Sequence, residues 1–257
     1  MTTTRRCVTL PAPSMSVTAR FEIGCILMPR KPFMQIYKLG MAYSIGPGAI
    51  NSRPELASLV GQCIAMWSDV ELQMALSLGA ILKTNSDAAV ALFLAIKTSR
   101  TQRDALSAVA RLLLSGDDLD AFEALLIVYT SLEKQRNTLA HGLFGISDAI
   151  PDAVLWTDMQ DHANFIINTL LNEYKGVPLP DPHAKLREDT FVYTKQDLED
   201  LLCDLTELQK SAFSFHCHHQ PREKKTHDYL RDLMAVPKIQ EALQVVRRRR
   251  AEGGNAM

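Results

Sequence analysis

Leu132-Glu133-Lys134-Gln135-Arg136-Asn137-Thr138-Leu139-Ala140-His141-Gly142 closes a long apolar helical pattern that runs from about Asp117. Leu119, Phe122, Leu125, Leu126, Val128, Tyr129, Leu132 and Leu139 recur at helical spacing, and Arg136 breaks the series near its end. Gly142 is where such a helix is expected to stop in a left-handed cap. At about 100° per residue, Asn137 and His141 share one face, whereas Arg136 lies about 140° around from His141. A regular helix therefore does not converge this Arg and this His on one point. A shared task needs a distorted last turn or a second copy of the helix.

Working outward from this stretch, the preceding chain reads as helices. Ser52-Arg53-Pro54-Glu55 carries a capping Ser, an early Pro and a Glu three residues on, and opens a helix to about Lys83. Leu56, Val60, Cys63, Ile64, Trp67, Val70, Leu72, Met74, Leu76 and Leu78 make that helix apolar over much of its circumference. Ser86 starts a short helix, and Ser99-Arg100-Thr101-Gln102 starts another that reaches about Leu114. After Gly142, Val154-Leu155-Trp156 reads as a short extended segment, followed by a helix from about Met159 to Tyr174. Val177-Pro178-Leu179-Pro180-Asp181-Pro182 cannot be helical.

Arg136-Asn137, three intervening residues and His141, late on a long helix, resemble the signature of HEPN-domain ribonucleases. The small Ala140 before the His, Gly142 after it, and Trp67 and Glu71 in a W-x-x-x-E pattern add to the resemblance, which covers roughly residues 53 to 175. It implies a helical bundle that pairs so that two copies of the motif face each other across a cleft and cut RNA without a metal. Arg136 and His141 become the catalytic pair, Asn137 a supporting residue, and Glu71 and Glu133 candidate helpers. The implied products are a 2′,3′-cyclic phosphate and a 5′-hydroxyl.

The residue chemistry suits that task. An imidazole near its unperturbed pKa of about 6.5 takes or gives a proton, and a guanidinium holds a phosphate with paired donors. The same residues also suit a plain structural role. Arg136 would then make an ion pair inside the bundle and His141 would cap the last carbonyls of its helix. Glu71 suits orientation of Arg136 across the bundle or pairing with any neighbour; Glu133 and Lys134 suit a solvated face or a helical salt bridge.

Composition narrows the field further. The 257 residues carry 28 Lys and Arg against 29 Asp and Glu, so any nucleic acid would be gripped by a local basic patch rather than by a basic surface. Arg247-Arg248-Arg249-Arg250 is the strongest such patch, suited equally to phosphate contact and to completing a helix C-terminus. Cys7, Cys25, Cys63, Cys203 and Cys217 lack zinc-ribbon or disulfide spacing, which points to a reducing cytoplasm. His216-Cys217-His218-His219 has the donor chemistry for zinc but no second well-spaced ligand pair, so a polar helix end or loop is the expectation there. No cofactor and no metal is expected.

The expected architecture is all-α: a HEPN-like helical bundle over residues 51–176 with at most one short peripheral β element. A poorly ordered arm over 1–50 precedes it. A Pro-rich linker over 177–193, a C-terminal helical extension over 194–250, capped at its start by Thr194, and a flexible tail over 251–257 follow. The expected partners are an RNA substrate, a second copy of the chain and a protein that restrains the activity, as in toxin–antitoxin or defence systems. The other reading is a non-catalytic helical dimer serving as a binding or regulatory module.

Overall fold

The computed structural model describes residues 31–176, 181–220 and 227–253. The chain is mainly helical there, with nine α-helices and one five-stranded antiparallel sheet among the described residues.

The first long helix, α1, spans Pro54–Leu82, with Pro54 at the first helical position where its missing N–H costs nothing. Ser52 does not cap it; its hydroxyl donates to the Ala49 carbonyl at 3.0 Å, at the end of a 3-10 turn. Lys83 closes α1 in a left-handed conformation, and the Asn85 side chain, not Ser86, caps α2, Ser86–Ala95. Thr98 caps α3, Ser99–Leu113, by accepting from the Thr101 N–H. The motif helix α4 spans Gly116–His141 and crosses the core, burying Phe122, Leu125, Tyr129, Leu132 and Leu139 against α1.

Gly142 is not a left-handed cap. Its backbone is extended, at φ −97° and ψ 167°, and the chain leaves α4 directly into strand β3, Gly142–Ile146. What demands a glycine there is the Trp156 indole, which a Cβ would overlap. β3 turns back into β4, Ala153–Asp158, with Gly142 opposite Asp158. Helix α5, Met159–Lys175, therefore starts beside the point where α4 ends.

The β structure is neither single nor peripheral. β4 is the middle strand of the order β1-β5-β4-β3-β2, where β1 is Lys31–Pro32, β2 is Ser44–Ile45 and β5 is Thr190–Thr194. Residues 153–157 of β4 are all buried, because alternate side chains enter different cores. Val154 and Trp156 join Tyr193 of β5 on the helical side; Ala153 and Leu155 join Val192 on the other.

That second face overturns two further expectations. Residues 31–50 are not a poorly ordered arm: Phe33 is fully buried beneath the sheet, and Tyr37 and Tyr43 pack edge-on to it. The rest of the expected arm, residues 1–30, lies outside the described residues. The segment 177–193 is not a linker over its described part. It forms helix α6, Ala184–Glu188, and the inner strand β5, whose Phe191-Val192-Tyr193 core pairs with β1 and β4. Residues 177–180 lie outside the described residues, as do 254–257 of the expected tail.

The C-terminal helices are not an extension either. Helix α7, Lys195–His219, begins at a capping box in which Thr194 and Asp197 exchange side-chain and backbone hydrogen bonds. It lies along α1 and places Leu198, Leu201, Leu205, Leu208, Ala212 and Phe215 in the same core as Trp67 and Phe122. A helix with so continuous an apolar stripe must bury it, and α1 is the surface that covers it. Helix α8, Tyr229–Ala235, and helix α9, Pro237–Gly253, complete the bundle, α9 against α4.

Candidate functional site

The last turns of α4 hold the candidate residues. Leu132 and Leu139 anchor these turns in the core; between them Glu133 and Gln135 are buried, Lys134 is exposed, and Arg136, Asn137 and Thr138 are half-buried. Arg136 is half-buried on the α1 side. Its guanidinium lies over the Trp67 indole, 5.2 Å from the ring centroid, in cation–π geometry. Arg136 Nη1 donates to Asn137 Oδ1 at 2.9 Å, while its buried Nε has no hydrogen-bond partner among the described residues. Trp67 stacks in turn on Tyr129, with ring centroids 4.8 Å apart.

Charge gathers around Tyr129. Its hydroxyl is buried without a hydrogen-bond partner among the described residues, and burial first, then the charges of Glu133 and Glu71, push its pKa well above the ordinary phenol range; Arg103 and Arg136 oppose this. Glu133 is not on a solvated face: it is buried and ion-paired with Arg103 of α3, as a carboxylate in that position requires. Glu71 is half-buried and makes no ion pair with Arg136, whose neighbours are an aromatic face and an amide instead. Lys134 is exposed.

His141 is exposed at the helix end, and its side chain makes no hydrogen bond or ion pair among the described residues. Asn137 serves Arg136 rather than the imidazole. Among the described residues neither structural role open to the pair is realised, since Arg136 meets no carboxylate and His141 caps no carbonyl. The helix is regular, so the two side chains diverge as the spacing requires, five residues and about 7.5 Å of rise apart.

The arginine run divides. All four arginines are exposed near the C-terminal end of α9; Arg247 and Arg250 turn toward the start of α4, pairing with Asp117, Asp120 and Glu123. The histidine cluster forms the last turn of α7. His216 and Cys217 are buried, and His218 meets Asp118 of α4. Cys63 and Cys217 are buried free thiols, and burial pushes the Cys63 thiol up to about 12; Cys203 is exposed.

Tyr129 and Arg103 were not legible as site residues, because a Tyr on an apolar stripe and an Arg on an amphipathic helix carry no motif. Asp118 was equally hidden, its partner His218 lying 100 residues away. In comparisons with family models, with curated proteins and with solved structures, the chain matches none of them.

Proposed function

We propose that the chain is a metal-independent endoribonuclease of HEPN type, cytoplasmic and active as a homodimer. The observation that carries this reading is Arg136: a cation steadied on Trp67, with a buried Nε that no acceptor among the described residues satisfies, on the same helix end as an exposed His141 that engages none of them. Buried donors are nearly always paired, so a guanidinium nitrogen left unpaired among the described residues suits an anion as its partner.

In this mechanism one His141 takes the proton from the ribose 2′-hydroxyl. The 2′-oxygen attacks phosphorus, the bond to the 5′-oxygen breaks, and the second His141 gives a proton to that leaving oxygen. Arg136 stabilises charge on the equatorial oxygens, and Asn137 keeps the guanidinium in place. Two copies are needed because one imidazole cannot be both acid and base in a concerted step. Association is supported by α5, which starts beside the His141 end of α4, buries none of its residues and exposes Ile166, Ile167, Leu170, Leu171 and Tyr174 along its length. No helix among the described residues is long and apolar enough to cross a membrane.

The test is incubation of purified protein with total RNA in EDTA and analysis of the new ends. Wild-type protein should leave 2′,3′-cyclic phosphates. His141→Ala and Arg136→Ala should each lower the rate by about 10²–10⁴-fold with helical content unchanged. Absence of cleavage by the wild type, or equal cleavage by His141→Ala, overturns the assignment. The apolar stripe of α5 favours a second reading, a non-catalytic dimer that binds or regulates a protein partner. In that case no cleavage occurs, and Arg136→Ala lowers the melting temperature through loss of the Trp67 contact.

A further inference from the structure

Sequence alone leaves His218 and His219 as neighbouring imidazoles with no third ligand. The fold brings one. Asp118, in the first turn of α4, places its Oδ1 3.2 Å from His218 Nε2, and the rings of His218 and His219 stand perpendicular with centroids 4.9 Å apart. One donor atom from each of Asp118, His218 and His219 lies within 4.8 Å of the others, and all three residues are half-buried. We propose that these three residues form a binding site for a divalent first-row transition ion, zinc being the probe, that clips the end of α7 to the start of α4.

Two features of the donor set fit an ion. The donor set, two imidazoles and a carboxylate, matches the borderline character of zinc, and a fourth position stays open to water. A tetrahedral ion with bonds of about 2.0–2.1 Å spaces its donors about 3.3 Å apart, so Asp118 and His218 already stand at that spacing. Only the His219 ring has to close in, from the last helical position of α7.

The charge balance also fits. Asp117, Asp120 and Glu123, the other acids at this end of α4, are met by Arg247 and Arg250, which leaves Asp118 to the imidazoles. The C-terminal end of α7 favours a cation, and the Asp118 carboxylate offsets the opposing field of the α4 N-terminus. Phe215, stacked on His219 at 4.6 Å, supports one side of the site. Asp118 precedes Arg136 by 18 residues of continuous helix, about 27 Å, so the ion is remote from the candidate nuclease residues and its role is structural.

Zinc titration of the full chain by calorimetry, after chelator treatment and dialysis, tests the site. One zinc per chain should bind and raise the melting temperature. Asp118→Asn and His218→Gln should each weaken binding by more than about 100-fold, beyond what loss of an outer-shell partner costs. Cys203→Ser should bind as the wild type does. Absence of stoichiometric binding, or binding unchanged in both variants, overturns the proposal. If those variants fail to fold, cobalt added to the wild-type chain decides. A four- or five-coordinate visible spectrum that His219→Gln abolishes supports the site, and the spectrum of the hexaaqua ion overturns it. RNA cleavage measured in EDTA is independent of every one of these outcomes.

Discussion

Gly142 illustrates how a single position can be read correctly as special for the wrong physical reason. A glycine after a long helix suggests a left-handed cap, yet its φ of −97° is open to any residue. The requirement is lateral: the Trp156 indole from the neighbouring strand occupies the space a side chain would take. Gly142→Ala should therefore destabilise the fold by about 1–3 kcal/mol, the usual cost of forcing one methyl into a packed site. Urea denaturation measures this, and an unchanged midpoint would mean that the indole moves aside freely. At the same scale, Arg136, Asn137 and His141 stood out by type and spacing, whereas Tyr129 and Arg103 entered only through their neighbours.

At the scale of elements, helices announced themselves, and among the strands only β4 did, through Val154-Leu155-Trp156. Thr194 and Asp197 form the capping box their spacing suggests, with Thr194 Oγ1 accepting from the Asp197 N–H at 3.2 Å. Thr194→Ala should cost about 0.5–2 kcal/mol, as loss of an N-cap oxygen does, read as a lower thermal midpoint at unchanged helical content. This element has tertiary weight because α7 follows directly from β5 and packs along α1, so the cap sits at the junction of sheet and bundle. β1 and β2, of two residues each, contain too little chain to show any alternation. Thr190-Phe191-Val192-Tyr193-Thr194 did carry strand character, masked by the prolines just before it.

For the whole molecule, α5 is the element the monomer leaves unsatisfied. A 17-residue helix with no buried position and exposed Ile166, Ile167, Leu170, Leu171 and Tyr174 gains little from its own chain. Its start lies beside His141, and the proposed dimer would pair two copies through this helix. Leu170→Glu should weaken self-association at least about tenfold, or roughly 1.4 kcal/mol, by placing a charge in the apolar seam. Sedimentation analysis across a concentration series checks it. A wild-type chain that stays monomeric throughout removes the dimer and the two-histidine mechanism together.

The amino-acid order alone determined the long helices, most of their ends, the apolar faces that had to be covered and the cluster of Arg136, Asn137 and His141. Those features depend on side-chain periodicity and on hydrogen bonds a few residues apart, which are local. Only the tertiary structure decided that residues 31–50 and 181–194 complete a sheet, that α7 belongs to the core, that Arg136 rests on Trp67 and that Asp118 meets His218. Each of those contacts joins positions tens of residues apart or more. They form because burying apolar surface in one core fixes the approach of distant segments, a constraint that no local pattern records.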